Sequence, residues 1–92
     1  DVVLSDLSPD IIGVWQVDHL RQIDMVLQVV DLLPHILQLN GSAILKIFEG
    51  EATRSFLDTV NGIFDKVRIS KPLASRGKSS ELYLICKNYR PS

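Results

Sequence analysis

The strongest constraint on this chain is an alternation. Short apolar runs alternate with longer stretches of helical period until the last third of its 92 residues. Val2-Val3-Leu4 is an apolar run ending at Ser5-Asp6, and it reads as a buried strand. Residues 7–16 hold Pro9 and Gly13 without a period, as a loop does. Asp18 is placed to cap a helix. Over residues 20–37 the apolar positions 23, 26, 27, 30 and 33 form a helical stripe, and Pro34 should kink the helix or end its first part near Leu33. Asn40-Gly41 is a stop and a turn. A second strand follows at Ser42–Phe48. After the Glu49-Gly50-Glu51 loop, residues 52–64 read as a helix with Phe56, Leu57, Val60, Ile63 and Phe64 on one face. Residues 67–69 are a short strand, 71–80 a polar loop with Pro72 and Gly77, and 82–87 a last strand.

Strands that alternate with helices imply a parallel sheet with right-handed crossovers. The final two strands, joined by a plain loop, should pair antiparallel. The expected fold is therefore α/β, with parallel strands and a terminal antiparallel hairpin. An open sheet of this kind places its site at the carboxyl ends of its strands. Here that edge carries Asp6, the loop after it, and Glu49.

Composition narrows the function classes. Hydrophobic residues make up 46% and mean hydropathy is +0.15. That is rich for a chain whose surface is large relative to its core, so either the core is dense or apolar surface is covered by something outside these residues. The start has no basic n-region and falls on a strand, which reads as a piece of a longer protein. No apolar run reaches the length of a membrane span, and no membrane partner is expected. Cys86 is the one cysteine and has no internal disulfide partner, so a reducing compartment, the cytoplasm, is expected. Charge is unevenly placed. Residues 1–65 hold ten acids against three bases, and residues 66–92 hold seven bases against one acid, giving −7 and +6. A basic end on an acidic chain points to a polyanion or to a solvated basic hairpin.

Lys46 is out of pattern in Ala43-Ile44-Leu45-Lys46-Ile47-Phe48. A lysine inside such a run must snorkel, pair, or lose its proton. Asp6 ends the preceding strand, where a site acid or a turn-forming aspartate both fit. Glu81 opens the last strand and taken alone is an ordinary strand-end charge. Together they say more, because strands joined by one crossover are usually neighbours. A buried lysine between acids is a general-base or charge-relay arrangement. His19 and His35 lack partners at metal-ligand spacing and read as helix-surface or packing residues, so no metal is expected. Trp15 can stack on a base or fill the joint between loop and helix, and packing is the expected role.

Four segments carry a resemblance. Leu4-Ser5-Asp6-Leu7-Ser8-Pro9-Asp10 resembles the S-D-x-x-P-[N/D] segment of FtsJ-type ribose methyltransferases. Val17-Asp18-His19-Leu20-Arg21-Gln22-Ile23-Asp24 is similar to the start of their next helix. Gly41-Ser42-Ala43-Ile44-Leu45-Lys46-Ile47-Phe48-Glu49-Gly50 is similar to their lysine-bearing strand. Lys71-Pro72, Ser75-Arg76 and Ser79-Ser80-Glu81-Leu82-Tyr83 resemble their K-P-x-x-S-R-x-x-S-x-E-x-Y hairpin. The four stand in register over nearly the whole chain. Asp10 stands where many members carry asparagine, and Ile12-Gly13-Val14-Trp15-Gln16 looks archaeal or eukaryotic rather than bacterial.

The resemblance implies the C-terminal half of a Rossmann-like methyltransferase sheet, with residues 1–92 as half of one domain and the cofactor-binding half upstream. It implies S-adenosylmethionine as donor, with Asp6, Leu7 and Pro9 at the cofactor. It makes Asp6, Lys46 and Glu81 the last three members of a Lys-Asp-Lys-Glu tetrad whose first lysine lies upstream. Lys46 is then the candidate base for a ribose 2′-hydroxyl, or the group that orients it and stabilises its developing charge, and Glu81 would hold Lys46 in place. Arg76, Lys71 and Lys78 are the implied phosphate contacts. The expected substrate is RNA, with ribosomal RNA or the large ribosomal subunit as partner. Alternatives are a tRNA or cap ribose, a protein acceptor, or a non-catalytic RNA-binding module on the same fold.

Overall fold

The computed structural model describes residues 2–71 and 81–91. The element order is β1 (Val2–Ser5), α1 (Trp15–Ile36), β2 (Ser42–Phe48), α2 (Thr53–Asn61), β3 (Phe64–Ser70) and β4 (Glu81–Tyr89). The strands form one sheet in the order β1-β2-β4-β3. β1 runs parallel to β2, with Val2 opposite Ser42 and Ser5 opposite Leu45. β4 lies antiparallel between β2 and β3, with Lys46 opposite Tyr83 and Phe48 opposite Glu81. The expected α/β class, the parallel crossover and the antiparallel final pair are all present.

Both helices cover the same face of the sheet. Ile23, Val26 and Leu33 of α1 and Phe56 and Val60 of α2 share one core with Ala43, Leu45 and Ile47 of β2 and Leu82, Leu84 and Cys86 of β4. These are alternate residues of each strand, as a period of two requires. Leu27 and Val30 pack at the edge of this core, so all five residues of the expected α1 stripe face the sheet side.

Several boundaries differ from the sequence expectation. α1 begins at Trp15 with Val14 at its N-cap, so Asp18 is a first-turn residue and not the cap. Pro34 lies inside the last turn of α1 and does not end the helix, which runs to Ile36. Only the N–H is lost there, and the Leu37 N–H still reaches the Leu33 carbonyl at 2.8 Å. α2 stops at Asn61, and Phe64 opens β3 instead of closing the helix. Its ring is buried beside Tyr89, 5.3 Å between centroids, so the same apolar residue serves strand packing. β1 is covered on one face within these residues. Val2 and Leu4 are 65% and 67% exposed and point to the sheet face that α1 and α2 leave open.

Candidate functional site

β1 stops at Ser5 while β2 continues to Phe48, so the ladder between them ends early. A side chain takes over. Gln22 of α1, fully buried, donates from Nε2 to the carbonyls of Lys46 (2.8 Å) and Leu7 (3.1 Å), and its Oε1 accepts the Phe48 N–H at 2.9 Å. One amide thus ties the helix, the end of β2 and the loop after Asp6. Two further residues of α1 hold the surrounding loops. Asp18 accepts the N–H groups of Ile12 (3.1 Å) and Gly13 (3.2 Å), with Gly13 at φ 93°, where any side chain is strained. Buried His19 accepts the Ala52 N–H on Nε2 at 3.0 Å, so Nδ1 carries the hydrogen and donates to the Phe48 carbonyl at 2.6 Å. A Cβ at Gly50 would lie 2.5 Å from this ring, which restricts position 50 to glycine.

Within that frame Lys46 projects from β2 on the face opposite the core. It is 9% exposed, and its Nζ lies 3.0 Å from Asp6 Oδ1 and 5.9 Å from the centroid of the Phe48 ring. Of the three readings open for this lysine, pairing is the one realised. Asp6 is the exposed partner, at 61%. Trp15 stacks on Phe48, 5.0 Å between centroids and 18° between planes, and donates from Nε1 to the Glu49 carbonyl at 2.9 Å. The expected packing role of Trp15 is therefore the observed one. Beside these rings lies a pocket of about 390 Å³ lined by Ser8, Ile11, Gly13, Trp15, Asp18, Phe48 and Glu81.

Glu81 thus reaches the same pocket, on the strand that borders Lys46. It does not pair with Lys46, whose carboxylate partner among the described residues is Asp6. Glu81 faces Phe48 across the ladder, two residues beyond the Lys46–Tyr83 pair. Leu7 and Pro9 follow Asp6 at the carboxyl edge, Leu7 39% exposed and Pro9 half-buried. Lys71 makes a loose surface pair with Glu49 at 3.5 Å. Arg76 and Lys78 lie outside the described residues. His35 is exposed in the last turn of α1, and no cluster of metal-ligating side chains occurs among the described residues. No described helix is long and apolar enough to cross a membrane.

Sequence reasoning missed Gln22 and undervalued His19. The available signal was their position. Residues 19, 22, 23, 26, 30 and 33 follow one helical stripe, and two polar residues in an apolar stripe call for buried partners.

The FtsJ-like methyltransferase family model matches residues 1–89. This chain belongs to that family. It is 41% identical over 90 residues to the ribosomal RNA large subunit methyltransferase E of Cenarchaeum symbiosum, covering 98% of this chain and 46% of that protein. It is 42% identical over 89 residues to the enzyme of the same name from Methanocaldococcus jannaschii, covering 97% and 36%. Its fold is similar to the crystal structure of a ribosomal RNA methyltransferase from Plasmodium falciparum, with a TM-score of 0.85 at 29% identity over 97% of this chain and 46% of that one. The chain thus spans less than half the length of these relatives. The family match contains Asp6, Lys46 and Glu81.

Proposed function

We propose that these residues form the methyl-acceptor half of a ribose 2′-O-methyltransferase domain acting on RNA, with large-subunit ribosomal RNA as the substrate and S-adenosylmethionine as the donor. The 3.0 Å pairing of a nearly buried lysine with an aspartate, at the ends of adjacent parallel strands and beside an aromatic pocket, carries this reading. The names of the relatives support the RNA class. The β1 edge of the sheet's open face, with Val2 and Leu4 uncovered, supports a domain whose other half packs against that edge.

Asp6, Leu7 and Pro9 fit the donor. An exposed carboxylate complements a sulfonium, and the apolar residues after it offer a surface at the carboxyl edge. When bound, the donor supplies an electrophilic methyl group. The chain's own residues prepare the acceptor. The pocket of Trp15 and Phe48 receives the acceptor nucleotide and brings its 2′-hydroxyl to Lys46. Attack needs the reacting atoms in line at about 3 Å, which fixed rings and a fixed lysine provide. Paired with Asp6, Lys46 acts as hydrogen-bond donor to the oxygen as negative charge grows on it, and Asp6, 3.0 Å from Lys46 Nζ, takes the proton. Glu81 acts at the pocket wall. The buried, unpaired thiol of Cys86 fits a reducing compartment such as the cytoplasm.

In the full-length protein, Lys46→Ala should lower kcat by about 10²–10⁴-fold and leave RNA affinity unchanged. Lys46→Arg should retain more activity than Lys46→Ala, because arginine keeps the charge and cannot serve as a base. Mass mapping of the product should place the methyl on a ribose. Methyl on a base or a protein, or full turnover by Lys46→Ala, overturns the reading.

A further inference from the structure

Strands β3 and β4 gather three cations on the sheet face turned away from the helices. Lys66 lies directly opposite Lys87, and Arg68 lies opposite Ile85. These four residues line a hollow of about 230 Å³, and the three charged ones are exposed. Val67, between Lys66 and Arg68, turns the other way to pair with Cys86 and pack on the core. The alternation therefore puts all three charges on one side.

Two lysines placed directly across a ladder repel, which destabilises the sheet they sit in. An acid nearby would relieve this. None does so among the described residues: Asp65, next in sequence to Lys66, is held by Arg90 at 2.7 Å. Residues 72–80 contain no acid either. The sheet spacing of about 4.8 Å between strands and 3.3 Å per residue puts the cluster roughly 12–16 Å from Lys46 along the same face. The cluster lies on the face from which Lys46 projects, displaced from it toward β3 and toward the amino end of β2.

We propose that Lys66, Arg68 and Lys87 form a phosphate-binding surface for the RNA backbone flanking the methylated nucleotide. The inference rests on the reading of the substrate as RNA. Arg68 offers a planar fork for two phosphate oxygens, and the lysines act as point charges. A surface of this kind positions the strand without reading its bases. A bound polyanion would relieve the mutual repulsion of Lys66 and Lys87.

The test uses the full-length protein and a fluorescein-labelled mixed-sequence single-stranded RNA of about 20 nucleotides, with Kd measured from about 50 to about 200 mM KCl. Replacing Lys66, Arg68 and Lys87 together by glutamine should make the slope of log affinity against log salt shallower by about 2, since three lost single-strand contacts contribute about 0.7 each. Affinity at the low-salt end should fall at least 10-fold. The value of kcat at saturating RNA should not change, because none of the three reaches Lys46. An unchanged salt slope overturns the proposal. So does a lowered melting temperature with an unchanged slope, which would assign the patch to an acidic protein surface. The two readings fail separately. Wild-type protein that binds this RNA with the steeper slope but methylates no RNA would overturn the methyltransferase reading and leave the phosphate surface supported.

Discussion

At the scale of single residues, the site depends on groups that never reach the reacting atoms. Gln22 satisfies three backbone groups where β1 has ended. Gln22→Met keeps the length and removes all three bonds, and each group left unpaired in a buried position costs about 1–3 kcal/mol. Thermal denaturation of the full-length variant should show a loss of at least about 2 kcal/mol, with methyl transfer reduced as Lys46 loses its fixed carbonyl. A variant as stable as wild type would remove Gln22 from this role. Cys86 predicts a pH effect. Burial pushes its thiol up from 9.0 to about 12. The unfolded chain therefore ionises first. The share of stability from a neutral, buried thiol is complete below pH 9.0 and is lost as pH rises from there toward about 12. Urea unfolding should thus weaken more steeply over that window in wild type than in Cys86→Ala. Equal slopes would count against it. Of these residues the sequence exposed Lys46 plainly, because a charge in an apolar strand breaks a strict pattern. Gln22 was hidden, because an amide in a helix is common until its partners are known.

At the scale of elements, each strand has two faces and only one is covered by α1 and α2. Leu4, on the uncovered face of β1, tests whether this chain is half of a domain. If the other half packs there, Leu4→Asp in the full-length protein should cost at least about 2 kcal/mol, the burial of a leucine plus the added cost of a covered carboxylate. An effect within about 0.5 kcal/mol, as for an ordinary surface position, would count against the half-domain proposal. Strand β2 was legible to the residue, since Asn40-Gly41 and Glu49-Gly50 frame an apolar run. The start of α1 was not, because the side chain that suggested a cap, Asp18, instead reaches back from the first turn to the loop at Ile12 and Gly13. The end of α2 was misplaced for a related reason. Phe64 continues the helical stripe in sequence, but its ring packs against Tyr89 from a strand.

At the scale of the whole molecule, the insertion of β4 between β2 and β3 does the most for function. It brings the amino end of β4, with Glu81, next to the carboxyl end of β2 and the pocket beside Lys46. It also sets β3 beside β4 so that Lys66 and Lys87 meet. The sequence by itself determined the α/β class, the order of elements, the parallel step from β1 to β2 and the candidates Asp6, Lys46 and Glu81. The class and order follow from local period and Lys46 from a charge placed where the period forbids it, while Asp6 and Glu81 rest on their strand ends and on the resemblance to the FtsJ-type family. The tertiary structure alone decided that Lys46 pairs with Asp6 and not with Glu81, that Gln22 continues a ladder left open by β1, and that Lys66 and Lys87 face each other. Those facts depend on which distant backbone groups and charges are brought within a few ångströms, and no local pattern in the chain encodes that distance.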